Sequence, residues 1–283
     1  MAGVVISRCT SSSVPSEGRR ATRRFARRQR RSKGVRDPMP LDVCAYDAYR
    51  PSYPVAALDV LAEIGALHRP SLVADVGSGT GIFTELLLAR GFRVVGVEPL
   101  VELSAVAGER LAQFSGFTNI AGSAENTTLD DHSVGVVTAA SALHWFELDA
   151  ARAEFGRILR EPGWVVALWN FRTAGVSGFG VAFDRLWRAV FGPPPAARRE
   201  EIEDAIVPEF FGGKAFERYS FANPLLCDED HLVGLAASSS HAPPRDDPAW
   251  RVVEQWMRHL HRAHEWNGVV QVPYETVMYC GRL

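Results

Sequence analysis

Short apolar runs alternate with helical patterns along the middle of this chain. Runs of apolar and β-branched residues predict five buried strands, at residues 72–76, 94–97, 117–120, 134–140 and 164–169. Helical periodicity fills three of the intervals between them, at residues 83–90, 101–114 and 149–159. Because strands that alternate with helices form parallel sheets, residues 72–170 predict a doubly wound α/β core.

The alternation stops after this core. Helical patterns broken by glycines and prolines predict a helical cap over about residues 171–211. The C-terminal part, residues 212–283, predicts two strands and two helices, at 216–221, 228–237, 250–266 and 269–279. The expected fold class is therefore α/β: a Rossmann-like, doubly wound, seven-stranded sheet with a helical cap inserted after the fifth strand.

The first 36 residues differ in charge from the rest of the chain. They hold eleven of the 31 basic residues and one of the 33 acidic residues, so residues 37–283 carry a net charge of −12. Few apolar residues and many serines and arginines predict a disordered basic extension over residues 1–38. Four interpretations stay open for it: a solvated tail, sequence upstream of a true start at Met39, an organellar transit peptide, or a nucleic-acid-binding arm.

Composition narrows the classes of function. The acidic body argues against nucleic acid or an acidic membrane as the main partner. No apolar run approaches the ~18 residues of a spanning helix, so no membrane partner is expected. The four cysteines lack paired spacing, which predicts neither a disulfide framework nor a metal site. They favour a reducing, cytoplasmic location, or an organellar one if residues 1–36 are a transit peptide.

A glycine-rich turn follows the first strand of the predicted core. Gly77, Gly79 and Gly81 come directly after this strand, and Glu98 ends the second strand. Glycines let the backbone approach a ligand closely, and a carboxylate at this edge can accept hydrogen bonds from two ribose hydroxyls. This β-α-β unit therefore predicts a nucleoside-binding site.

The spacing of the turn indicates which nucleoside it binds. Dinucleotide folds use G-x-G-x-x-G, whereas this turn is G-x-G-x-G and is followed by Ile82. Asp75, two residues before the first glycine, would repel a pyrophosphate but can accept a hydrogen bond from loop amides or from a bound ammonium group. The motif resembles motif I of the class I S-adenosylmethionine (SAM) dependent methyltransferases. This resemblance implies SAM as cofactor, S-adenosylhomocysteine as product, Glu98 as the ribose-binding acid, and cofactor contacts from Ser78 and Pro99.

Later strands of the core add candidate cofactor-binding residues. Ser123, Ala124 and Glu125 follow the third strand, and Ala139 lies in the fourth. The resemblance implies that the carboxylate of Glu125 accepts a hydrogen bond from the adenine amino group. A solvated loop acid or a helix N-cap is the structural alternative for this glutamate.

His144 and Trp145 are the candidate catalytic residues. They follow the fourth strand at the carboxyl edge of the sheet, where a methyl acceptor would meet the cofactor sulfur. Trp145 could pack on the adenine or on the substrate. His144 could act as a base, could donate a hydrogen bond to an anionic substrate, or could be a structural histidine bonded to the backbone.

Residues 44–54 carry a second resemblance. Pro51 and Pro54 predict an extended path before a helix at about 55–66. The string Tyr-Arg-Pro-Ser-Tyr-Pro at 49–54 resembles the trans-aconitate methyltransferase-like branch, as does Val-Pro-Tyr-Glu-Thr at 272–276. The segment is either a packing strap or a lid over the cofactor, with Arg50 near the methionine carboxylate and Tyr46 or Tyr53 lining the site.

The expected activity is methyl transfer from SAM to a small-molecule acceptor by direct displacement, most simply O-methylation of a carboxylate or hydroxyl. The methyltransferase domain is expected to span residues 39–283, as a monomer or homodimer. Two alternatives stay open: a non-catalytic protein that binds SAM or its product, and a methyltransferase that acts on RNA or another macromolecule through the basic arm. Metal binding is not expected, since His259 and His261 are two residues apart and face different sides of their helix.

Overall fold

The computed structural model describes residues 5–8, 43–68, 70–173, 178–191, 196–239 and 242–283. Ten strands lie in these ranges. They are Val5–Arg8 (β1), Leu72–Val76 (β2), Arg93–Val97 (β3), Phe117–Ile120 (β4), Val134–Ala140 (β5), Leu159–Arg172 (β6), Phe216–Ala222 (β7), Leu225–Cys227 (β8), Val270–Val272 (β9) and Tyr274–Gly281 (β10).

Helices fill most of the intervals between these strands. They are Val43–Tyr49 (α1), Val55–Glu63 (α2), Ile82–Ala89 (α3), Val101–Arg110 (α4), Leu148–Ile158 (α5), Gly178–Phe191 (α6), Ala196–Glu201 (α7), Val207–Phe211 (α8), Glu229–Ala237 (α9) and Pro248–His264 (α10). A 3-10 turn at Leu143–Trp145 follows β5, and a π-helical turn at Ile202–Ile206 joins α7 to α8. None of the described helices is long and apolar enough to cross a bilayer.

The main sheet has the strand order β1-β7-β10-β6-β5-β2-β3-β4. The five strands from β6 to β4 are parallel, and β10 runs antiparallel between β6 and β7. The order reverses between β2 and β5, so the carboxyl ends of these two strands meet at the switch point where open α/β sheets bind ligands. The prediction of a Rossmann-like, doubly wound, seven-stranded sheet is confirmed by the strands β2–β7 and β10.

The eighth strand lies in the segment predicted to be disordered. Val5–Arg8 pairs antiparallel with β7 at the edge of the sheet. The prediction of disorder does not hold for these four residues, because two of them are β-branched and the outer edge of β7 offers unpaired backbone groups. The rest of the predicted extension, residues 1–4 and 9–38, lies outside the described residues.

The predicted strand at 269–279 is two strands. Val270–Val272 pairs with β8 in a small separate sheet, whereas Tyr274–Gly281 joins the main sheet. Pro273 stands between them and has no backbone N–H to donate to a ladder. The single-strand prediction is therefore wrong at this proline.

Three apolar clusters hold these layers together. Strand residues alternate between the two faces of the main sheet, so that one face packs on α5 and α8 and the other on α2 and α3. The third cluster joins α1, α6, α9 and α10 with the small sheet of β8 and β9. The cap helix α6 therefore packs with the C-terminal helices rather than with the two faces of the sheet.

A substitution of Phe155 would test how α5 packs against the sheet. Its side chain is fully buried and makes edge-to-face contacts with Phe146 and Phe210. We expect Phe155→Ala to lower the free energy of unfolding by ~3–5 kcal/mol, because it removes buried apolar area and leaves a cavity. Val101→Ala, at a position 74% exposed, should change it by less than ~0.5 kcal/mol. Urea denaturation of both variants measures the difference, and equal midpoints would contradict the expectation.

Candidate active site at the carboxyl edge of the sheet

The glycine-rich loop joins β2 to α3 at this edge. Gly77, Gly79 and Gly81 all have positive φ, at 68°, 59° and 84°, a region that favours glycine. A Cβ added at Gly77 would lie 2.7 Å from the Cβ of Ala142, whereas one added at Gly79 would meet no atom within 4 Å. The loop is therefore packed against the turn after β5 on one side and is open at Gly79.

Glu98 lies beside this opening and is 5% exposed. Its Oε2 accepts a hydrogen bond from the Gly79 amide at 2.9 Å, and its Oε1 accepts one from the Leu100 amide at 3.0 Å. Burial raises the pKa of Glu98, and these two amide hydrogen bonds oppose the rise. Each oxygen keeps a second lone pair, so the carboxylate can accept two further hydrogen bonds. Pro99, next along the chain, is exposed.

Asp75 is fully buried at the end of β2. Its Oδ2 accepts a hydrogen bond from the Thr84 hydroxyl at 2.6 Å, and its Oδ1 accepts one from the Thr138 hydroxyl at 2.7 Å. Burial raises the pKa of Asp75 to about 6, against the two hydroxyls. Sequence reasoning considered loop amides or a ligand ammonium as partners and missed both threonines, which stand among apolar residues without a motif of their own.

The strap, defined as residues 43–54, covers the same edge. Its first part is the helix α1 and only its last residues are extended, so the predicted extended path holds for 51–54 alone. Arg50 donates from Nη2 to the Ser238 carbonyl at 2.8 Å, and its guanidinium lies 5.0 Å from the ring centre of Tyr46. The Nε of Arg50 is buried and has no hydrogen-bond partner among the described residues.

Tyr53 connects the strap to the loop region. Its hydroxyl lies 3.0 Å from that of Ser141, and its ring makes an edge contact with Phe83. Burial raises the pKa of Tyr53, and the charges of Asp75 and Arg50 also act on this hydroxyl. Tyr53 therefore ties the strap to the end of β5 and to the first turn of α3, which follows the glycine-rich loop.

Two asparagines fasten the strap to the sheet. Asn170 donates to the carbonyls of Pro51 and Ser52 at 3.0 and 3.2 Å, and Asn223 donates to the Ser52 carbonyl at 2.8 Å. Asn223 also donates to the side-chain oxygen of Asn170 at 3.1 Å. These contacts join residues at least 53 positions apart in the chain, so no local pattern signals them.

The residues predicted after the third strand have structural contacts. Ser123 and Asn126 exchange backbone hydrogen bonds across a turn, and Ala124 is buried in the core. Glu125 accepts a hydrogen bond at Oε1 from the amide of Glu147, the residue that precedes α5. This contact is the helix-cap alternative for Glu125, and its adenine contact stays a prediction. Ala139 is fully buried in β5, one residue before the strand end.

His144 and Trp145 lie on the 3-10 turn that follows β5. The turn begins after Ser141, whose φ is 55° and whose amide donates to the Leu168 carbonyl at 2.7 Å. Trp145 is 59% exposed, whereas the ring of His144 is half-buried. The Nε1–H of Trp169 donates to Nδ1 of His144 at 3.1 Å. Sequence reasoning missed this indole partner.

The structure brings together most of the predicted cofactor residues. Gly79 is bonded to Glu98, Gly77 packs against the turn that bears His144, and Tyr53 reaches the end of β5. Two hydroxyls of the loop, those of Ser78 and Thr80, are buried without a hydrogen-bond partner among the described residues. No group of three histidine, cysteine or acidic side chains within the described ranges could hold a metal ion.

The pKa of Asp75 predicts a pH dependence of stability. The pKa of the Asp75 carboxyl is about 6 in the folded protein and 3.8 in the unfolded chain, so the folded state binds its proton more tightly. The contribution of this group to stability is therefore complete below pH 3.8 and is lost as the pH rises through about 6. From about pH 4.5 to about pH 7.5 this group should lower the free energy of unfolding by about 2 kcal/mol. Asp75→Asn should remove this dependence.

The measurement is urea denaturation of both proteins at the two pH values. Asparagine keeps one oxygen acceptor, and its amide can donate to the other threonine hydroxyl, so the fold is retained. The other titrating groups are the same in both proteins. All of them cancel in the difference except Glu98, whose charge acts on Asp75 and whose titration the substitution can alter. Parallel pH profiles of the two proteins would overturn this account of Asp75.

Comparison with known proteins agrees with the fold and the loop. The family profile described as "Methyltransferase domain" matches residues 74–167. An uncharacterized methyltransferase of Mycobacterium tuberculosis is 40% identical over 241 residues, which are 83% of this chain and 91% of that protein. The malonyl-[acyl-carrier protein] O-methyltransferase of Methylococcus capsulatus is 33% identical over 133 residues, 44% of each chain.

A solved structure shares the fold. It is a proposed type II methyltransferase from Anaeromyxobacter dehalogenans, with a TM-score of 0.60 and 23% sequence identity, and the match covers 83% of this chain and 98% of that one. At this identity the likeness concerns the fold alone. The long match to the mycobacterial methyltransferase and the domain profile define the family. The chain is a transferase enzyme and belongs to the class I SAM-dependent methyltransferases.

Proposed function

We propose that this methyltransferase binds SAM in the glycine-rich loop and methylates an oxygen of a small-molecule acceptor, most simply a carboxylate. The observation that carries the cofactor assignment is the Glu98–Gly79 pair: a buried carboxylate, tied to the open glycine of the loop, with acceptor capacity left on both oxygens. Two adjacent ribose hydroxyls match this capacity. When bound, SAM supplies a methyl group on a positively charged sulfur.

The electrostatics of the loop favour a cationic nucleoside. Glu98 and Asp75 lie close enough that the charge of Glu98 raises the pKa of Asp75. Two carboxylates beside one loop attract a sulfonium or ammonium group and repel a pyrophosphate. This supports SAM over a dinucleotide cofactor.

The protein's own part in the reaction is to align the acceptor with the cofactor and to enclose both. The helix α1 of the strap and the cap helix α6 pack in the third apolar cluster. The last residues of the strap reach the ends of β5 and β6. A site closed by such segments suits a small molecule, and alignment of two reactants can lower a barrier by ~7–11 kcal/mol in the best cases. Arg50, without a carboxylate partner among the described residues, is our candidate for the methionine carboxylate of SAM.

Two arguments support oxygen as the methylated atom, one from chemistry and one from a relative. A carboxylate needs no base to become a nucleophile, whereas a hydroxyl or amine does. The Methylococcus relative is named for O-methylation of a malonyl group.

The free thiols of Cys44, Cys227 and Cys280 support a cytoplasmic site of action. Membership of the trans-aconitate branch stays a prediction.

Glu98 provides the test of cofactor binding. Glu98→Ala removes the proposed ribose acceptor and two hydrogen bonds, one to the Gly79 amide of the loop and one to the Leu100 amide after β3. Each is worth ~1.5–3 kcal/mol because it involves a charged group. We expect SAM and S-adenosylhomocysteine affinities to fall by more than ~100-fold in calorimetric titration. Glu102→Ala removes the same charge from an exposed position on α4 and should bind both ligands like the wild type.

The same titration decides between cofactors. Wild-type protein should bind SAM and S-adenosylhomocysteine at micromolar concentration and should not bind NAD. Binding of NAD alone would refute the glycine-spacing argument. Equal SAM affinity in the Glu98 and Glu102 variants would remove Glu98 from the site.

The acceptor class has its own test. We expect transfer of a labelled methyl group from SAM to a member of a carboxylate panel of succinate, benzoate, octanoate and trans-aconitate. The product should release labelled methanol in mild alkali, because a methyl ester hydrolyses there and a methyl ether or methylamine does not. Phenol and 4-nitrophenol are the hydroxyl controls. Label that stays bound after alkali would contradict carboxylate methylation.

A further inference from the structure

The hydrogen bond between Trp169 and His144 fixes the proton of the histidine. The indole nitrogen of tryptophan is a donor and has no lone pair to accept. Since Nε1 of Trp169 lies 3.1 Å from Nδ1 of His144, that Nδ1 must accept and cannot carry a hydrogen. A neutral imidazole carries one hydrogen, which is therefore on Nε2.

The indole cannot easily turn away from this contact. Trp169 is 3% exposed on β6, and its ring stacks on Phe171 and makes an edge contact with Tyr279. Its N–H direction is set by this packing and by the central position of β6 in the sheet. The histidine is held from the other side by the short turn after β5.

The bonded form of His144 cannot act as a base. A general base needs a free lone pair, but the lone pair on Nδ1 is bonded to Trp169 and Nε2 carries the hydrogen. Protonation to the imidazolium would place an N–H of the histidine against the N–H of the indole, and the hydrogen bond between the rings would be lost. The pair therefore stabilises a neutral ring with Nε2–H as its donor.

We propose that His144 is a hydrogen-bond donor, through Nε2–H, to the carboxylate of the methyl acceptor, and that Trp169 is the positioning residue that holds it in this form. The inference rests on the proposed function and narrows it to acceptors that react as anions. A carboxylate meets this donor without losing a proton. Once methylated it is an uncharged ester, whose hydrogen bond to Nε2–H is weaker, so the same contact favours release of the product.

The tautomer can be measured without knowing the acceptor. Long-range proton–nitrogen NMR spectra of the 15N-labelled full chain, saturated with S-adenosylhomocysteine, report which imidazole nitrogen carries hydrogen. The signals of His144 are assigned by their loss in His144→Gln. We expect a neutral Nε2–H ring near neutral pH in the wild type. A ring with hydrogen on Nδ1, or an imidazolium, would overturn the proposal.

Trp169→Phe tests the positioning role. It removes the indole N–H and keeps an aromatic ring of similar shape between Phe171 and Tyr279. We expect the His144 signals to change to a mixture of the two tautomers, with S-adenosylhomocysteine affinity unchanged. Unchanged His144 signals in a folded Trp169→Phe protein would show that the indole does not set the tautomer. If this variant does not fold, the wild-type spectrum still decides the proposal.

Kinetics separate a donor from a base. Glutamine at 144 can reproduce both contacts, with a carbonyl that accepts from Trp169 and an amide that donates to the acceptor, whereas alanine provides neither. With the carboxylate from the panel that turns over, we expect His144→Ala to raise KM by ~10–100-fold, the loss of a hydrogen bond to a charged group. His144→Gln should restore most of this affinity. A collapse of kcat in both variants would instead identify a base.

Failure of this inference is distinguishable from failure of the proposed function. Wild-type protein that does not bind SAM would refute the cofactor site itself. Protein that binds SAM and whose His144 carries its hydrogen on Nδ1 would refute only the donor role.

Discussion

The buried carboxylate of Asp75 is the constraint on which the candidate site depends. It lies in register with Thr138 of β5, and its second oxygen is bonded to Thr84 of α3, so one charge joins two strands and a helix. The glycine-rich loop lies between Asp75 and Thr84 in the chain, and their hydrogen bond closes it at the base. A buried charge is costly unless it is paired or hydrogen-bonded. The shape of the loop is therefore tied to the satisfaction of this one group.

A second carboxylate makes the arrangement functional. Glu98 bonds the amide of Gly79 at the open side of the loop, while Asp75 holds the closed side. Because both pKa values are raised by burial, ligands that bring positive charge to this edge also relieve the cost of the two carboxylates. Under the proposed function, the loop selects its ligand through charge as well as through its glycines.

Local patterns predicted the sheet, the loop and Glu98, because strand periodicity, glycine spacing and strand ends are written in consecutive residues. Contacts between distant segments were not predictable in this way. From the sequence alone, Trp169 looks like an ordinary core residue, and its contact with His144 follows only from the pairing of β5 with β6. Ser238 accepts the hydrogen bond of Arg50 through its backbone carbonyl, so its side chain gives no sign of this contact. The strand β1 was hidden by the serine- and arginine-rich composition of the 36-residue segment in which it lies.

The segments that we propose as the acceptor side pack mainly apart from the glycine-rich loop. Tyr49 of the strap lies directly over Gly234 of α9, where an added Cβ would come within 2.4 Å of its ring. The helix α1 of the strap, the cap helix α6 and the C-terminal helices share one apolar cluster, whereas Tyr53 at the end of the strap packs in the cluster on one face of the sheet. Substitutions in this third cluster can therefore reshape the acceptor side while Asp75 and Glu98 keep their partners. The geometry of the glycine-rich loop and that of the third cluster are therefore set by largely different packing.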